Sequence, residues 1–151
     1  MFQGYADSAI PYEVREKLFV GPSLDQVTPY GTGIPSGSST YDLSNGKYSF
    51  GVETEELYYS DYVFIGHGGK VTMNIRESCG LATSELFLVR IYVRGWLGTG
   101  TVVGQLAVER NSGDSLIVDG LSESDKVYFT ISPEERGLVD LSILHNYIKK
   151  G

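Results

Sequence analysis

The segment GKVTMNIRE puts Val71, Met73 and Ile75 on one side of an extended chain and Lys70, Thr72, Asn74 and Arg76 on the other. A period of two is the mark of a half-buried strand, because successive side chains of a strand point to opposite faces. The same period runs through ELFLVRIYVR, where Phe87, Val89, Ile91 and Val93 face one way and Arg90, Tyr92 and Arg94 the other. KVYFTIS repeats it with Val127, Phe129 and Ile131, and LVDLSI with Val139, Leu141 and Ile143. Less regular strand candidates are YSFGVE at 48–53, LYYSDYVFI at 57–65, VVGQLAVE at 102–109 and SLIVD at 115–119.

Turn chemistry separates these runs. Asn45-Gly46 suits a tight turn with positive φ, GHGG at 66–69 can reverse the chain, and NSGD at 111–114 fits a hairpin loop. Short strands at this spacing predict an all-β fold, an antiparallel β-sandwich or jelly roll of about eight strands. SPEERG reads as one short helical turn near 133–136, with Ser132 as cap, Pro133 first in the helix and Glu135 completing a capping box.

PYEVREKLFV at 11–20 reads as an edge strand, and the Gly/Pro/Ser-rich stretch from Gly21 to Ser39 as a long loop. Residues 1–40 are therefore expected to form an N-terminal arm and residues 41–151 the sandwich, one domain in total. A chain of 151 residues is long enough for one sizeable core, and its 19 Gly and 11 Tyr fit a protein of turns and strands. The opening MFQG, native start or remnant, is set aside from the fold argument.

Charge and cysteine content narrow the function classes. A net charge of −7 opposes non-specific nucleic-acid binding, which needs a positive surface to displace counterions. The single cysteine, Cys79, allows no intrachain disulfide and is expected to be a small apolar filler. No apolar run is long enough to span a bilayer, so membrane insertion is not expected, and no signal-peptide pattern opens the chain. No N-x-[ST] sequon occurs at Asn45, Asn74, Asn111 or Asn146.

Catalytic and cofactor signatures are missing at the level of motifs. In IGHGGKVT, Phe64 stands where a phosphate loop needs its first glycine and Val71 where it needs Ser or Thr. GTGTVVG carries Val103 at the third glycine of a dinucleotide fingerprint, and GTGIPSG is broken by Pro35. No G-x-S-x-G elbow and no HExxH occur, and one Cys with His67 and His145 cannot build the usual closed zinc set. ETEE at 53–56, NSGD and SESD at 122–125 hold hard oxygen ligands of the kind calcium takes, but solvated acidic loops are the simpler reading, and no cofactor is expected. The chain is read as a non-enzyme.

Binding is the better expectation. Trp96, the only tryptophan, sits among glycines in RGWLGTG and offers a flat apolar face to a sugar ring or a protein. Arg90, Tyr92 and Arg94 form an outward basic-aromatic stripe, and alternation sends Tyr58 and Tyr62 to one face and Tyr59 to the other. The predicted ligand-binding residues are Trp96, Arg94, Tyr92, Arg90 and Tyr59.

The phrase YSDYVFIGHGGKVTMNI followed by ELFLVRIYVRG resembles the strand-turn-strand rhythm of bacterial pre-peptidase C-terminal domains and similar accessory β-sandwiches of secreted enzymes. The likeness covers residues 41–144, and it implies a non-catalytic module on extracellular proteins. GLSESDKVYF also resembles the turn before the corner tyrosine of fibronectin type III domains, with Tyr128 one position late. The first expectation is thus an extracellular or surface-exposed module that binds glycan or protein through its loops. The second is a structural subunit of a virion or surface assembly, self-associating through its arm and strand edges.

Overall fold

The computed structural model describes residues 33–78 and 80–151, leaving aside the side chains of residues 143–145. The expected edge strand at 11–20, most of the Gly21–Ser39 loop, and Cys79 lie outside the described residues, as does the His145 side chain.

Among the described residues, ten strands make two sheets. They are β1 (Thr40–Asp42), β2 (Tyr48–Thr54), β3 (Tyr58–Tyr59), β4 (Val63–Ile65), β5 (Gly69–Arg76), β6 (Leu86–Arg94), β7 (Gly100–Glu109), β8 (Gly113–Leu121), β9 (Lys126–Pro133) and β10 (Val139–Lys150). One sheet runs β1-β4-β9-β6-β7, with β3 also pairing β9, and the other runs β2-β10-β5-β8. All ladders are antiparallel except β1 with β4. Every connection except β3–β4 and β6–β7 carries the chain from one sheet to the other. That alternation is the jelly-roll form of a β-sandwich.

The core lies between the sheets and is built from the alternating residues. Val71, Met73 and Ile75 of β5 meet Phe87, Val89 and Ile91 of β6 and Val127, Phe129 and Ile131 of β9 in one buried cluster. Phe50 of β2 reaches across to Phe129 with ring centroids 4.8 Å apart. Each fully buried Val, Ile or Phe contributes roughly 1.5–3 kcal/mol, so this cluster is the main favourable term of the fold.

Several local expectations are corrected. The run 57–65 is two strands, because Ser60 Oγ donates to Tyr62 O and bends the chain between β3 and β4. No helical turn forms near 133–136: β9 continues through Pro133, Glu134 N extends its ladder by donating to Leu86 O at 2.9 Å, and Ser132 Oγ donates to Pro133 O instead of capping. A single 3-10 turn stands elsewhere among the described residues, at Leu43–Asn45, capped by Asp42. NSGD is not a hairpin loop, since β7 and β8 belong to different sheets; it hands the chain across, with Asn111 at φ 58°.

β10 extends well past the expected 143 because a bulge interrupts its pairing with β2. Leu141 pairs Val52 and Asn146 pairs Phe50, so residues 142–145 stand out of the ladder. Asn146, fully buried, closes the bulge: its Nδ2 donates to Leu141 O at 3.2 Å, and its Oδ1 accepts from Arg76 N at 2.6 Å.

Candidate functional site

The β6–β7 connection is a tight turn. Gly98 N donates to Gly95 O at 3.0 Å and Gly95 N to Thr99 O at 2.8 Å, which leaves Trp96 and Leu97 as the two central residues. Gly98 takes φ 85°, a conformation glycine adopts without steric cost. Trp96 is 89% exposed and Leu97 72%, so two large apolar side chains stand side by side in water at the tip. Burying such a pair is worth several kcal/mol, which makes the tip the most energetic apolar contact the described surface offers.

Arg94 holds the base of this turn. Its Nε donates to Pro35 O at 2.8 Å and its Nη1 to Gly95 O at 3.0 Å, tying the loop to the segment that leads into β1. The guanidinium is thereby engaged with the chain's own carbonyls.

The rest of the predicted stripe is corrected by burial. Arg90 is 6% exposed and Tyr92 0%, so neither faces solvent. They lie on the outer face of the six-stranded sheet, and that face carries a second core of Leu57, Tyr59, Tyr92 and Tyr128, with Ile34 and Val102 packed against it. Tyr92 and Tyr128 are cross-strand partners whose rings stack at 4.7 Å and 4°. Tyr59, also buried, sits 6.2 Å from Tyr128. Arg90 Nε donates to Gln105 Oε1 at 3.0 Å and Nη1 to Tyr92 Oη at 3.4 Å. These residues build the fold's outer layer. The sequence carried a signal for this that the stripe reading passed over: LFLVRIYV is nearly continuous in apolar residues, the mark of a strand buried on both faces.

At the opposite end of β6 lies a buried carboxylate pair. Glu77 Oε1 accepts from Asn111 N at 2.7 Å and Oε2 from Asp140 N at 3.2 Å, which ties the β5–β6 and β7–β8 connections to the start of β10. Burial pushes the Glu77 carboxyl up, and the Asp140 charge adds to this. Asp140 is held below the usual carboxylate range by hydrogen bonds from Ser142, helped by the Leu81 N–H. At the Trp96 end, His67 Nε2 lies 2.8 Å from Asp42 Oδ1. Hydrogen bonds from Ser44, joined by the one from His67, lower Asp42 to about 2. Among the described residues, no three His, Cys, Asp or Glu side chains converge as a metal-binding group.

Surface depressions are open. One is lined by Glu85, Leu86, Glu109 and Arg110, another by Gly51, Val52, Glu53 and Ser142, and neither includes a predicted site residue. Among the described residues, no helix is long and apolar enough to cross a membrane. No protein-family model matches this chain, and no curated protein sequence matches it.

Proposed function

We propose that the protein is a non-catalytic module that docks onto another protein through the β6–β7 turn, with Trp96 and Leu97 as the anchoring side chains. The observation that carries the reading is the joint exposure of those two residues on a turn fixed by Gly95, Gly98 and Arg94. Tryptophan dominates the centres of protein interfaces because its ring fills a pocket at little conformational cost. A protein partner is favoured over a glycan because the polar group at the turn's base, Arg94, is engaged with Pro35 and Gly95 carbonyls. The resemblance to accessory domains of secreted enzymes supports an extracellular or surface location.

The test replaces Leu97 with a photo-reactive analogue and compares capture with and without Trp96→Ser. Loss of an interface anchor costs 2 kcal/mol or more, roughly a 30-fold fall in affinity. Capture that survives Trp96→Ser at the same concentration overturns the proposal, as does a saturable glycan-array signal that depends on Trp96.

A second reading, a structural subunit of a virion or surface assembly, is supported by the strand order, since jelly rolls recur in virion shells as well as lectins. It rests on analogy of fold, and one fold serves many functions. Its homomeric form requires association that grows with concentration in light scattering and weakens in a Trp96→Ser, Leu97→Ser double variant. A monomer at high concentration excludes it.

A further inference from the structure

Away from the Trp96 turn, where the edge strands β1 and β2 of the two sheets come together, tyrosines gather into a ledge. Tyr41 and Tyr48 have ring centroids 5.0 Å apart at 65°, Tyr48 and Tyr62 5.6 Å apart at 79°, and Tyr41 and Tyr62 6.2 Å apart at 51°. Tyr41 and Tyr48 are half-buried against Phe64, and Tyr62 is the exposed member. Beside it in sequence, Asp61 is exposed, and its Oδ1 accepts from Tyr58 Oη at 3.3 Å. The tyrosine thus steadies the exposed carboxylate through Oδ1.

The stretch of chain that carries Asp61 and Tyr62 is acidic. Between Lys47 and Lys70 the chain carries Glu53, Glu55, Glu56 and Asp61 and no lysine or arginine. Lys47 itself is turned onto the Tyr147 ring, with Nζ 4.5 Å from the centroid. Burial and the Asp61 charge both push the Tyr48 and Tyr58 phenols up, so these hydroxyls stay protonated and remain donors.

We propose that Tyr62 and Asp61, backed by Tyr41 and Tyr48, form a docking site for an arginine side chain of a partner protein. The rings are too close together to admit a cation between them, so the ligand lies over the outer face of Tyr62. A guanidinium fits because it stacks flat on an aromatic face while its fork reaches a carboxylate; an ammonium is a more strongly hydrated point charge without the planar fork. The formal charge of the chain, −7, draws a basic partner toward the site. The site is separate from the Trp96 turn, which joins β6 and β7 at the other edge of the sheet.

The experiment titrates the isotope-labelled full chain with N-acetyl-arginine amide, N-acetyl-lysine amide and N-acetyl-citrulline amide, following amide resonances by NMR. Arginine amide is expected to give saturable shifts centred on Asp61 and Tyr62, lysine amide weaker ones, and citrulline amide, its uncharged isostere, none there. Asp61→Asn and Tyr62→Ala, both at exposed positions, each weaken arginine binding about three- to tenfold, with circular dichroism unchanged. Equal shifts with citrulline amide, shifts spread evenly over Glu53, Glu55 and Glu56, or arginine binding undiminished in both variants would each overturn the proposal. So would the absence of any saturable shift.

Discussion

Tyr92 and Trp96 stand four residues apart, and the structure assigns them opposite fates that a pair of alanine substitutions separates. Tyr92 is fully buried, stacked on Tyr128 at 4.7 Å, and accepts from Arg90 Nη1. Removing a buried aromatic ring costs about 3–5 kcal/mol, and here the stacking partner and the arginine lose a contact as well. For a chain of this size each kcal/mol lowers the melting temperature by roughly 2–4 °C, so Tyr92→Ala should melt about 6–20 °C early. Tyr92→Phe keeps the stack but removes the Oη that accepts from the buried Arg90 guanidinium, a loss of about 1–3 kcal/mol. Trp96→Ala should change stability by no more than ~0.5 kcal/mol, because the ring has little to lose. The assay is urea unfolding followed by far-ultraviolet circular dichroism. Tryptophan emission is a poor probe of this transition, since the only tryptophan is 89% exposed before unfolding begins. A Tyr92→Ala protein with wild-type stability, or a Trp96→Ala protein weakened by more than ~1 kcal/mol, would refute the assignment of the two faces.

Two further outcomes follow from packing and charge. A Cβ on Gly100 would lie 2.8 Å from Tyr128 Cζ and 3.1 Å from Tyr92 Cδ2, so Gly100→Ala should destabilise by about 1–3 kcal/mol, read in the same urea assay. Stability should rise and then fall as pH drops. Glu77, its carboxyl raised in the fold, takes up its proton before the unfolded chain does, which relieves a burial penalty on the way from neutral into mild acid. Asp140 and Asp42, lowered in the fold, contribute stability that is present above the ordinary carboxylate range of ~4 and is lost as pH falls toward their folded values. Urea midpoints across the acid range check this: Glu77→Gln should remove the mild-acid rise and leave the later loss, and a rise that persists in the variant contradicts the assignment.

The alternating segments at 70–76, 86–94, 126–132 and 139–141 were legible because the inward residues of each are apolar and pack together between the sheets. Where the reading failed, a second interaction had overridden the pattern. The phase of β10 is lost at the bulge, and the inward residue that restores it is the polar Asn146, which no hydrophobic count detects. Arg90 looked outward-facing and exposed because it is charged, yet the sheet's outer face is itself covered, and its guanidinium is satisfied by Gln105 and Tyr92. The glycines of RGWLGTG correctly marked a turn, and Tyr58 and Tyr59 part to the inner and outer packing as alternation within β3 requires, while Tyr62 lies past the bend and packs at the edge. The gathering of Tyr41 and Tyr48 onto Tyr62 depends on β1 and β2 meeting in space, which local sequence does not encode.

The strand order also sets a sequence of events in time. β9 occupies the middle of one sheet and β10 the middle of the other, and they are the last two strands in chain order. Among the described residues β2 pairs with β10 alone, so within this set of strands its hydrogen-bonding edge stays open until β10 has been synthesised. Closing that long loop comes late and is entropically expensive. A nascent chain of this protein therefore spends its synthesis with unpaired edges at β2 and β5, the interval in which chaperones or neighbouring nascent chains compete for them.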